Sequence, residues 1–162
     1  MRFFRPAPAR VTLVNADEAA ALAELYGRAW TDCDATIDRR LVEDQRASLE
    51  EVRAWLAGGF ELYKTTREGV LVGAIRCSFP SSTCHVDRLA VDPELRRRGY
   101  GHSLVSHAVG RARRAGVSRV WVELSPKLTE ALSLFRHQGF REAGRYNAGY
   151  WGEPVTLLEL PL

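Results

Sequence analysis

The chain has 162 residues, of which 46% are hydrophobic and 27% charged, and its formal net charge is +3. This composition is typical of a globular protein, predicts a single domain over residues 1–162, and excludes a disordered chain. No stretch reaches the roughly 18 apolar residues of a membrane span and the N-terminus lacks a signal-peptide run, so we expect a cytoplasmic protein without a membrane partner.

The first third of the chain predicts one strand and two helices. Val11–Val14 is a short apolar strand, and apolar residues at helical spacing predict a helix over Ala16–Trp30. Thr31–Arg46 is polar and irregular, with room for a short helical turn at its centre. The second helix begins at Ser48, because Glu51 three residues later completes a capping box.

The rest of the chain predicts strands first, and then helices alternating with strands. Glu68-Gly69 is a hairpin signal between the first two of these strands. The order is that of a mixed α/β (α+β) domain without an internal repeat. In chain order the predicted elements are strands at Phe60–Arg67, Val70–Phe79 and Thr83–Val91, a helix at Gly99–Ala115, a strand at Val117–Leu124, a helix at Thr129–His137, and strands at Phe140–Tyr146 and Val155–Leu160.

The turn before the long helix carries the strongest functional signal. The run Arg96-Arg97-Arg98-Gly99-Tyr100-Gly101-His102 follows a strand that ends in Leu89-Ala90-Val91-Asp92-Pro93. A helix N-terminus presents unpaired N–H groups and partial positive charge, which bind phosphate. Glycines let phosphate oxygens approach the backbone, and arginines add countercharge. The pattern therefore predicts a site for a phosphorylated ligand, above all a pyrophosphate.

Other phosphate-binding motifs fit this turn less well. A dinucleotide fingerprint needs a third glycine where Leu104 stands, and no P-loop sequence is present. A nucleic-acid surface built on the arginines at 96–98 and 111–114 lacks interleaved aromatic residues for base stacking. A small phosphorylated ligand is favoured, and a nucleic-acid partner is not predicted. The three cysteines form no close pair, which argues against a disulfide framework and a zinc site, so no metal is predicted; they are Cys33, Cys77 and Cys84.

The turn resembles the coenzyme-A loop of the GNAT superfamily of N-acetyltransferases. The family pattern, R or Q, then x-x-G-x, then G or A, is matched by Arg96, Gly99 and Gly101. Ala131–Phe140 is similar to a second family segment, A-x-x-L-Y-x-x-x-G-F, and the element order fits as well. The resemblance covers most of the chain. It implies a GNAT-like acyl-CoA N-acyltransferase fold, whose central, mostly antiparallel mixed sheet is splayed between strands 4 and 5 and flanked by about four helices.

The resemblance implies an acetyl-CoA-dependent N-acetyltransferase, an acyltransferase without a metal. It would move the acetyl group to a primary amine of a small molecule or a protein, by direct attack in a ternary complex, and a homodimer is left open. In this family the strand before the loop is bulged, and the pantetheine arm pairs with it. The implied acetyl-CoA contacts are Leu89, Ala90, Val91, Arg96, Arg97, Arg98, Gly99, Tyr100, Gly101, His102 and Phe135.

The catalytic groups depart from the family pattern. Family members commonly protonate the leaving thiolate with the Tyr of the second segment, where this chain has Phe135, and many carry an Asn where it has Leu128. His85 and Asp87 lie on one face of the strand before the loop, where the family often places a base. His85 has the unperturbed pKa that a base needs. Alternatives stay open, namely a solvated His85 and an Asp87 paired with an arginine.

Two further candidates lie on the strands after the loop. Glu123 is a third candidate base, and Tyr146 of the last hairpin is a candidate thiolate acid, with core packing as its alternative. The fold implies that two groups border the acceptor pocket: Tyr146, Tyr150 and Trp151, and Trp30, Cys33 and Asp34. Because the usual Tyr and Asn are absent, a non-catalytic acyl-CoA-binding or sensing protein remains the alternative function.

Overall fold

The computed structural model describes residues 8–30, 37, 39–147 and 153–162. These residues form strands and helices in a mixed α+β order, as the sequence predicts. The strands are β1 (Val11–Leu13), β2 (Glu61–Arg67), β3 (Val70–Ser78), β4 (Cys84–Val91), β5 (Arg119–Leu124), β6 (Arg141–Asn147) and β7 (Pro154–Pro161). The helices are α1 (Ala19–Ala29), α2 (Arg39–Gln45), α3 (Leu49–Ala57), α4 (Tyr100–Ala115) and α5 (Thr129–His137).

The strands join in one sheet, in the order β1-β2-β3-β4-β5-β7-β6. Neighbouring strands are antiparallel except β4 and β5, which run parallel. That pair is in register only at Cys84 with Val120 and at His85 with Trp121, although β4 continues to Val91. The two strands therefore part beyond His85 and Trp121, and the predicted splay between strands 4 and 5 is confirmed.

Each face of the sheet carries its own core. On one face, α4 and α5 pack on residues such as Tyr63 and Ile75. On the other face, α1 and α3 pack on residues such as Leu62 and Ala74. Successive strand residues point to opposite faces, so adjacent residues of β2 and β3 serve different cores. Cys77 and Cys84 are free, buried members of the α4 and α5 core, while Cys33 lies outside the described residues.

Local signals set most element boundaries. At the start of α3 the capping box is confirmed, since the Ser48 amide donates to Glu51 Oε2 at 2.8 Å and the Glu51 amide donates to Ser48 Oγ at 3.1 Å. In the β2–β3 turn, Glu68 and Gly69 have φ of 51° and 77°, as a type I′ hairpin turn requires. Among the described residues, no helix has the length and apolarity to span a membrane.

Helix α2 is the main addition to the predicted elements. The sequence predicts an irregular Thr31–Arg46 with at most a short helical turn, whereas the structure has the seven-residue helix Arg39–Gln45. None of its residues is buried. A helix without a buried face has no apolar periodicity, so the sequence pattern could not predict its length.

Candidate acetyl-CoA and acceptor site

Strand β4 is bulged shortly before its end. Its register with β3 shifts between Ala74 and Arg76, so that Arg88 and Leu89 lie opposite the single residue Ile75. Arg88 has φ 52°, in the left-handed region that a non-glycine residue seldom adopts. A bulge of this kind bends the strand and re-aims the backbone groups that follow it.

Beyond the splay, β4 has a free edge. Residues 86–91 pair with β3 on one side, but on the other side no described strand pairs with them, because β5 has turned away. Backbone groups on such an edge can accept an extended ligand as an additional strand. The three residues predicted to meet pantetheine lie here: Ala90 is buried, and Leu89 and Val91 are half-buried.

The turn after β4 delivers a helix N-terminus to the same end of the sheet. Asp92 Oδ1 accepts the Glu94 amide at 3.1 Å, and the chain then passes through left-handed Arg97 and Gly99, with φ of 62° and 88°. Helix α4 begins at Tyr100, and the Ser103 amide bonds to Gly99 O at 3.0 Å. The amides of residues 100–102 precede the first amide with a helical acceptor and are available to an anion.

The two glycines of this turn are needed for different reasons. At Gly99 a Cβ would meet no atom within 4 Å, so its φ of +88° is what disfavours a side chain. At Gly101 a Cβ would lie 3.0 Å from Leu134 Cδ2 and 3.8 Å from Val91 Cγ2. Gly101 therefore allows α4 to approach α5 closely, and its role in clearing space for a phosphate stays a prediction.

The three consecutive arginines have different environments. Arg96 donates through Nη2 to Ala29 O at the end of α1, which tethers the turn. Arg97 pairs with Glu130 at 3.1 Å, but their side chains are 84% and 63% exposed, so the pair adds little stability. Arg98 is exposed and has no partner among the residues that the structure describes. Arg98 is thus the cation of this turn that is available to a phosphate.

His85 lies at the point where β4 and β5 part. Its ring stacks on Trp121, with centroids 4.0 Å apart and planes 20° apart. Trp121 is held in turn, because its Nε1–H donates to Thr83 Oγ1 at 2.9 Å. Burial lowers the pKa of His85 below its usual value, although the charges of Asp87 and Glu123 oppose this shift. His85 is therefore a neutral imidazole near pH 7.

The Asp87 carboxylate forms an ion pair with an arginine. Arg76 donates to its two carboxylate oxygens at 2.7 and 2.6 Å, and the Arg76 guanidinium also lies over the rings of Trp55 and Phe60 at 4.5 and 4.2 Å. Of the alternatives that the sequence left for Asp87, the ion pair is the one that the structure contains. Both carboxylate oxygens of Asp87 are thus engaged by the Arg76 guanidinium.

Glu123 and Tyr146 form a pair on the same face of the sheet as His85. The Tyr146 hydroxyl donates to Glu123 Oε2. Burial, together with this bond to the carboxylate, raises the pKa of Tyr146 to about 12. Glu123 is two residues beyond Trp121, so its side chain follows that of Trp121 on one face of β5. The face thus presents a carboxylate and a neutral imidazole beside the splay.

For the other predicted site residues, the structure gives less direct support for a role in the site. Phe135 is 1% exposed and packs edge-on against Phe140 at 5.1 Å, inside the α4 and α5 core, so its contact with a cofactor stays a prediction. Trp30 caps the end of α1. The remaining acceptor-pocket candidates lie outside the described residues: Cys33, Asp34, Tyr150 and Trp151. Within the described ranges no three His, Cys, Asp or Glu residues are grouped to hold a metal ion.

Three residues of the site were not predicted from the sequence. They are Trp121, Arg76 and Tyr26 of α1, whose hydroxyl donates to Arg88 O at the bulge at 2.6 Å. Trp121 lies in an apolar strand, Tyr26 at an apolar helix position, and Arg76 in the middle of a strand, so each pattern favoured a packing or solvated role. One signal in the sequence could have indicated Trp121, because it lies two residues before Glu123, and so on the same face, of a strand beside the predicted loop. Nothing in the sequence pairs Tyr26 or Arg76 with β4.

Two features together are typical of the class of acyl-CoA N-acyltransferases. One is a mixed sheet whose two parallel strands separate, and the other is a helix that begins at glycines beside the gap. The model of the acetyltransferase (GNAT) family matches residues 19–140. The chain therefore belongs to the acetyltransferase (GNAT) family, which confirms the resemblance and the predicted fold.

Relatives within this family are similar over part of their length. The chain is 34% identical over 78 residues to a [Ribosomal protein bS18]-alanine N-acetyltransferase of Escherichia coli K12, covering 46% of this chain and 53% of that protein. It is 33% identical over 76 residues to the peptidyl-lysine N-acetyltransferase YjaB of Salmonella typhimurium, covering 47% of this chain and 49% of YjaB. The chain thus spans about half the length of the curated relatives it matches.

A solved structure shares the fold over nearly the whole chain. The yncA protein of Salmonella typhimurium, solved with its cofactor acetyl-CoA, superposes with a TM-score of 0.77 at 19% identity. The superposition covers 96% of this chain and 95% of yncA.

Proposed function

We propose that the chain transfers the acetyl group of acetyl-CoA to a primary amine. One observation carries the proposal: the free edge of β4 beyond the splay leads directly into a helix start with unpaired amides. An extended pantetheine arm fits the edge at residues 89–91, and its pyrophosphate fits the amides of residues 97–102. The likeness to yncA, which was solved with acetyl-CoA, supports the same ligand.

The chemistry fits direct attack of the amine. The acceptor nitrogen attacks the thioester carbonyl carbon, the C–N bond forms, the C–S bond breaks, and the nitrogen gives up a proton. Glu123 is our candidate for the group that accepts this proton, with neutral His85 as the second candidate base. Tyr146 orients the Glu123 carboxylate. A thiolate leaves readily because thiols are acidic, with a pKa of about 8.5, so Phe135 does not preclude turnover.

We further propose a protein amine as the acceptor. The two curated relatives described above are named for an amine of a protein, namely an alanine of a ribosomal protein and a peptidyl lysine, while a third, shorter match is to a mycothiol acetyltransferase. Glu123 is exposed beside the splay, where it would attract an ammonium group. Glu123 accepts a hydrogen bond from the Tyr146 hydroxyl, and this neutral partner brings no positive charge to the carboxylate.

Calorimetric titration with acetyl-CoA tests the proposal first. Gly101→Glu should abolish binding, because its side chain would be forced into the close contact with Leu134 and Val91 and would displace the helix start, and because it adds negative charge there, while Gly110→Glu on the same helix is the charge-matched control. A Cβ at Gly110 would meet only the flexible end of Arg114 at 3.4 Å, so this control should bind like wild type. No binding by wild-type protein, or equal binding by both variants, would refute the assigned site.

Release of free thiol then identifies the acceptor. Peptides with a free N-terminus, N-acetylated peptides with one lysine, and small amines are compared at saturating acetyl-CoA. We expect release with one of the two peptide classes. Tight acetyl-CoA binding without release by any amine would favour the alternative, a non-catalytic acyl-CoA sensor, which the buried Phe135 in place of a tyrosine supports.

A further inference from the structure

The last turns of helix α1 hold the ligand-binding part of β4 and its turn. Tyr26 Oη donates to Arg88 O at 2.6 Å, Arg28 Nε donates to Asp92 Oδ2 at 3.3 Å, and Ala29 O accepts from Arg96. The last two contacts fix the turn after β4. The first reaches the bulge itself.

The bulge carbonyl needs a partner from outside the sheet. A bulged residue leaves the ladder, and a buried carbonyl without a donor is strongly unfavourable. Tyr26 supplies the donor from a position that is 1% exposed. Burial raises the pKa of Tyr26 far above its usual range, so the phenol remains protonated and able to donate.

Arg88 itself does not favour the bulged conformation. Its φ of 52° is one that glycine or asparagine adopts more readily than arginine. Its side chain is anchored away from the ligand edge, because Nη1 donates to Asp44 O at 2.6 Å and the guanidinium lies 4.9 Å from the Trp55 ring. The bulge is therefore held from outside, by Tyr26 at the carbonyl and by α2 and α3 at the side chain.

The extra residue decides which backbone groups face the gap. Strand backbone groups alternate in direction, so one inserted residue reverses the direction of those that follow. After the bulge, β4 resumes its pairing with β3 at Ala74 with Ala90 and at Gly73 with Val91. Loss of the bulge would shift this register and re-aim residues 89–91, the part of the edge assigned to pantetheine.

We propose that Tyr26 is a positioning residue for acetyl-CoA: its hydroxyl holds the β4 bulge at Arg88 in the form that presents the edge of residues 89–91 to the pantetheine arm. The inference rests on the proposed function for the identity of the ligand. Tyr26 does not touch the reacting atoms, so it should affect acetyl-CoA binding and leave acceptor binding unchanged.

Tyr26→Phe removes the hydroxyl and keeps the packing of the ring. We expect the Kd and the KM for acetyl-CoA to rise about tenfold, while kcat and the acceptor KM stay within about twofold. Tyr63→Phe is the matched control, since Tyr63 is 4% exposed and donates to Glu61 at the same 2.6 Å, two strands away from β4. It should lower the thermal midpoint and leave the acetyl-CoA Kd unchanged.

Arg88→Val attacks the same bulge with the phenol in place, because a β-branched residue is strongly disfavoured at positive φ. We expect a rise of at least about tenfold in the acetyl-CoA Kd. Tyr26→Phe protein that folds and binds acetyl-CoA within twofold of wild type would overturn the proposal. If Tyr26→Phe does not fold, wild-type affinity in Arg88→Val overturns it. Failure of wild-type protein to bind acetyl-CoA would instead refute the proposed function.

Discussion

At the residue scale, identical side chains in consecutive positions have different partners, as in Arg96, Arg97 and Arg98. Arg96 is bound to the carbonyl of Ala29, Arg97 forms an exposed pair with Glu130, and Arg98 has no partner in the part of the chain that the structure describes. Only a cation without a competing carboxylate offers its full charge to a phosphate. The contribution of the arginine cluster to ligand binding should therefore be concentrated in Arg98.

Arg98→Glu should raise the acetyl-CoA Kd about tenfold and flatten its dependence on salt concentration, because one charge-assisted contact becomes a repulsion. Calorimetric titration at two salt concentrations measures both effects. Arg113→Glu makes the same charge change in the last turn of α4 and should leave the Kd unchanged. Equal losses in the two variants would indicate a general effect of net charge.

Glu123→Gln should lower kcat about a hundredfold or more with little change in the KM for acetyl-CoA, because the amide cannot accept the amine proton. Tyr146→Phe should have a smaller effect, since it removes the orienting bond and keeps the carboxylate. Steady-state kinetics with the acceptor found by thiol release measures both. If Glu123→Gln retains wild-type kcat and His85→Gln loses it, His85 is the base.

The lowered pKa of His85 makes folding stability depend on pH. Its charged form is disfavoured in the folded state, so the unfolded chain binds more protons as the pH falls through the usual histidine range near 6.5. The free energy of unfolding should therefore decrease between pH 7.5 and 5.5. His107, whose pKa burial also lowers, contributes in the same direction.

His85→Gln should remove part of this decrease, because two half-buried histidines share it. Urea denaturation of wild type, His85→Gln and His107→Gln across this pH range checks the assignment. An equally steep decrease in all three proteins would show that neither histidine is its source.

At the element scale, the contact between α4 and α5 passes through Gly101. A methyl group there would lie 3.0 Å from Leu134 Cδ2, so Gly101→Ala forces α5 or the leucine to move. We expect a loss of about 1 kcal/mol in the free energy of unfolding, because the cost of overpacking is offset in part by the higher helix propensity of alanine. Since Leu134 Cδ2 is the atom nearest to the added methyl group, Leu134→Ala should relieve the steric strain in the double variant.

A double-mutant cycle by chemical denaturation measures this coupling. The loss in the Gly101→Ala, Leu134→Ala protein should be smaller than the sum of the single losses by at least about 0.5 kcal/mol. Additive losses would mean that the effect of Gly101→Ala comes from elsewhere. The same cycle read by calorimetry separates the packing role of Gly101 from its role in clearing space for a phosphate.

At the scale of the whole molecule, the proposed ligand site runs along β4, its turn and the start of α4. Acetyl-CoA should therefore slow amide hydrogen exchange at residues 86–102, where it supplies partners to free backbone groups. The β2–β3 hairpin turn at Glu68 and Gly69 should be unaffected. Uniform protection over the whole chain would indicate global stabilisation by binding, and no protection at 86–102 would contradict the site.

Most of the fold could be predicted from the sequence because its signals are local. The capping box at Ser48 and Glu51, the hairpin turn at Glu68-Gly69 and the apolar periodicity of the helices each act within a few residues. Only a short helical turn was expected where α2 lies, because a helix that buries no residue has no apolar periodicity to predict its length. The sequence also predicted a turn between β4 and α4, where a strand, two glycines and a helix start are contiguous, and the structure has that turn. Its binding of a phosphate stays a prediction.

The sequence by itself determined the order of the elements, the family and the position of the glycine-containing turn before α4, because these depend on short-range patterns. Only the tertiary structure decided that Asp87 is held by Arg76, that Arg98 is the available arginine, and that Tyr26 reaches Arg88. Tyr26 and Arg88 are 62 positions apart in the chain. Contacts at that range depend on strand register and on how α1 packs across the sheet, and no local pattern specifies either.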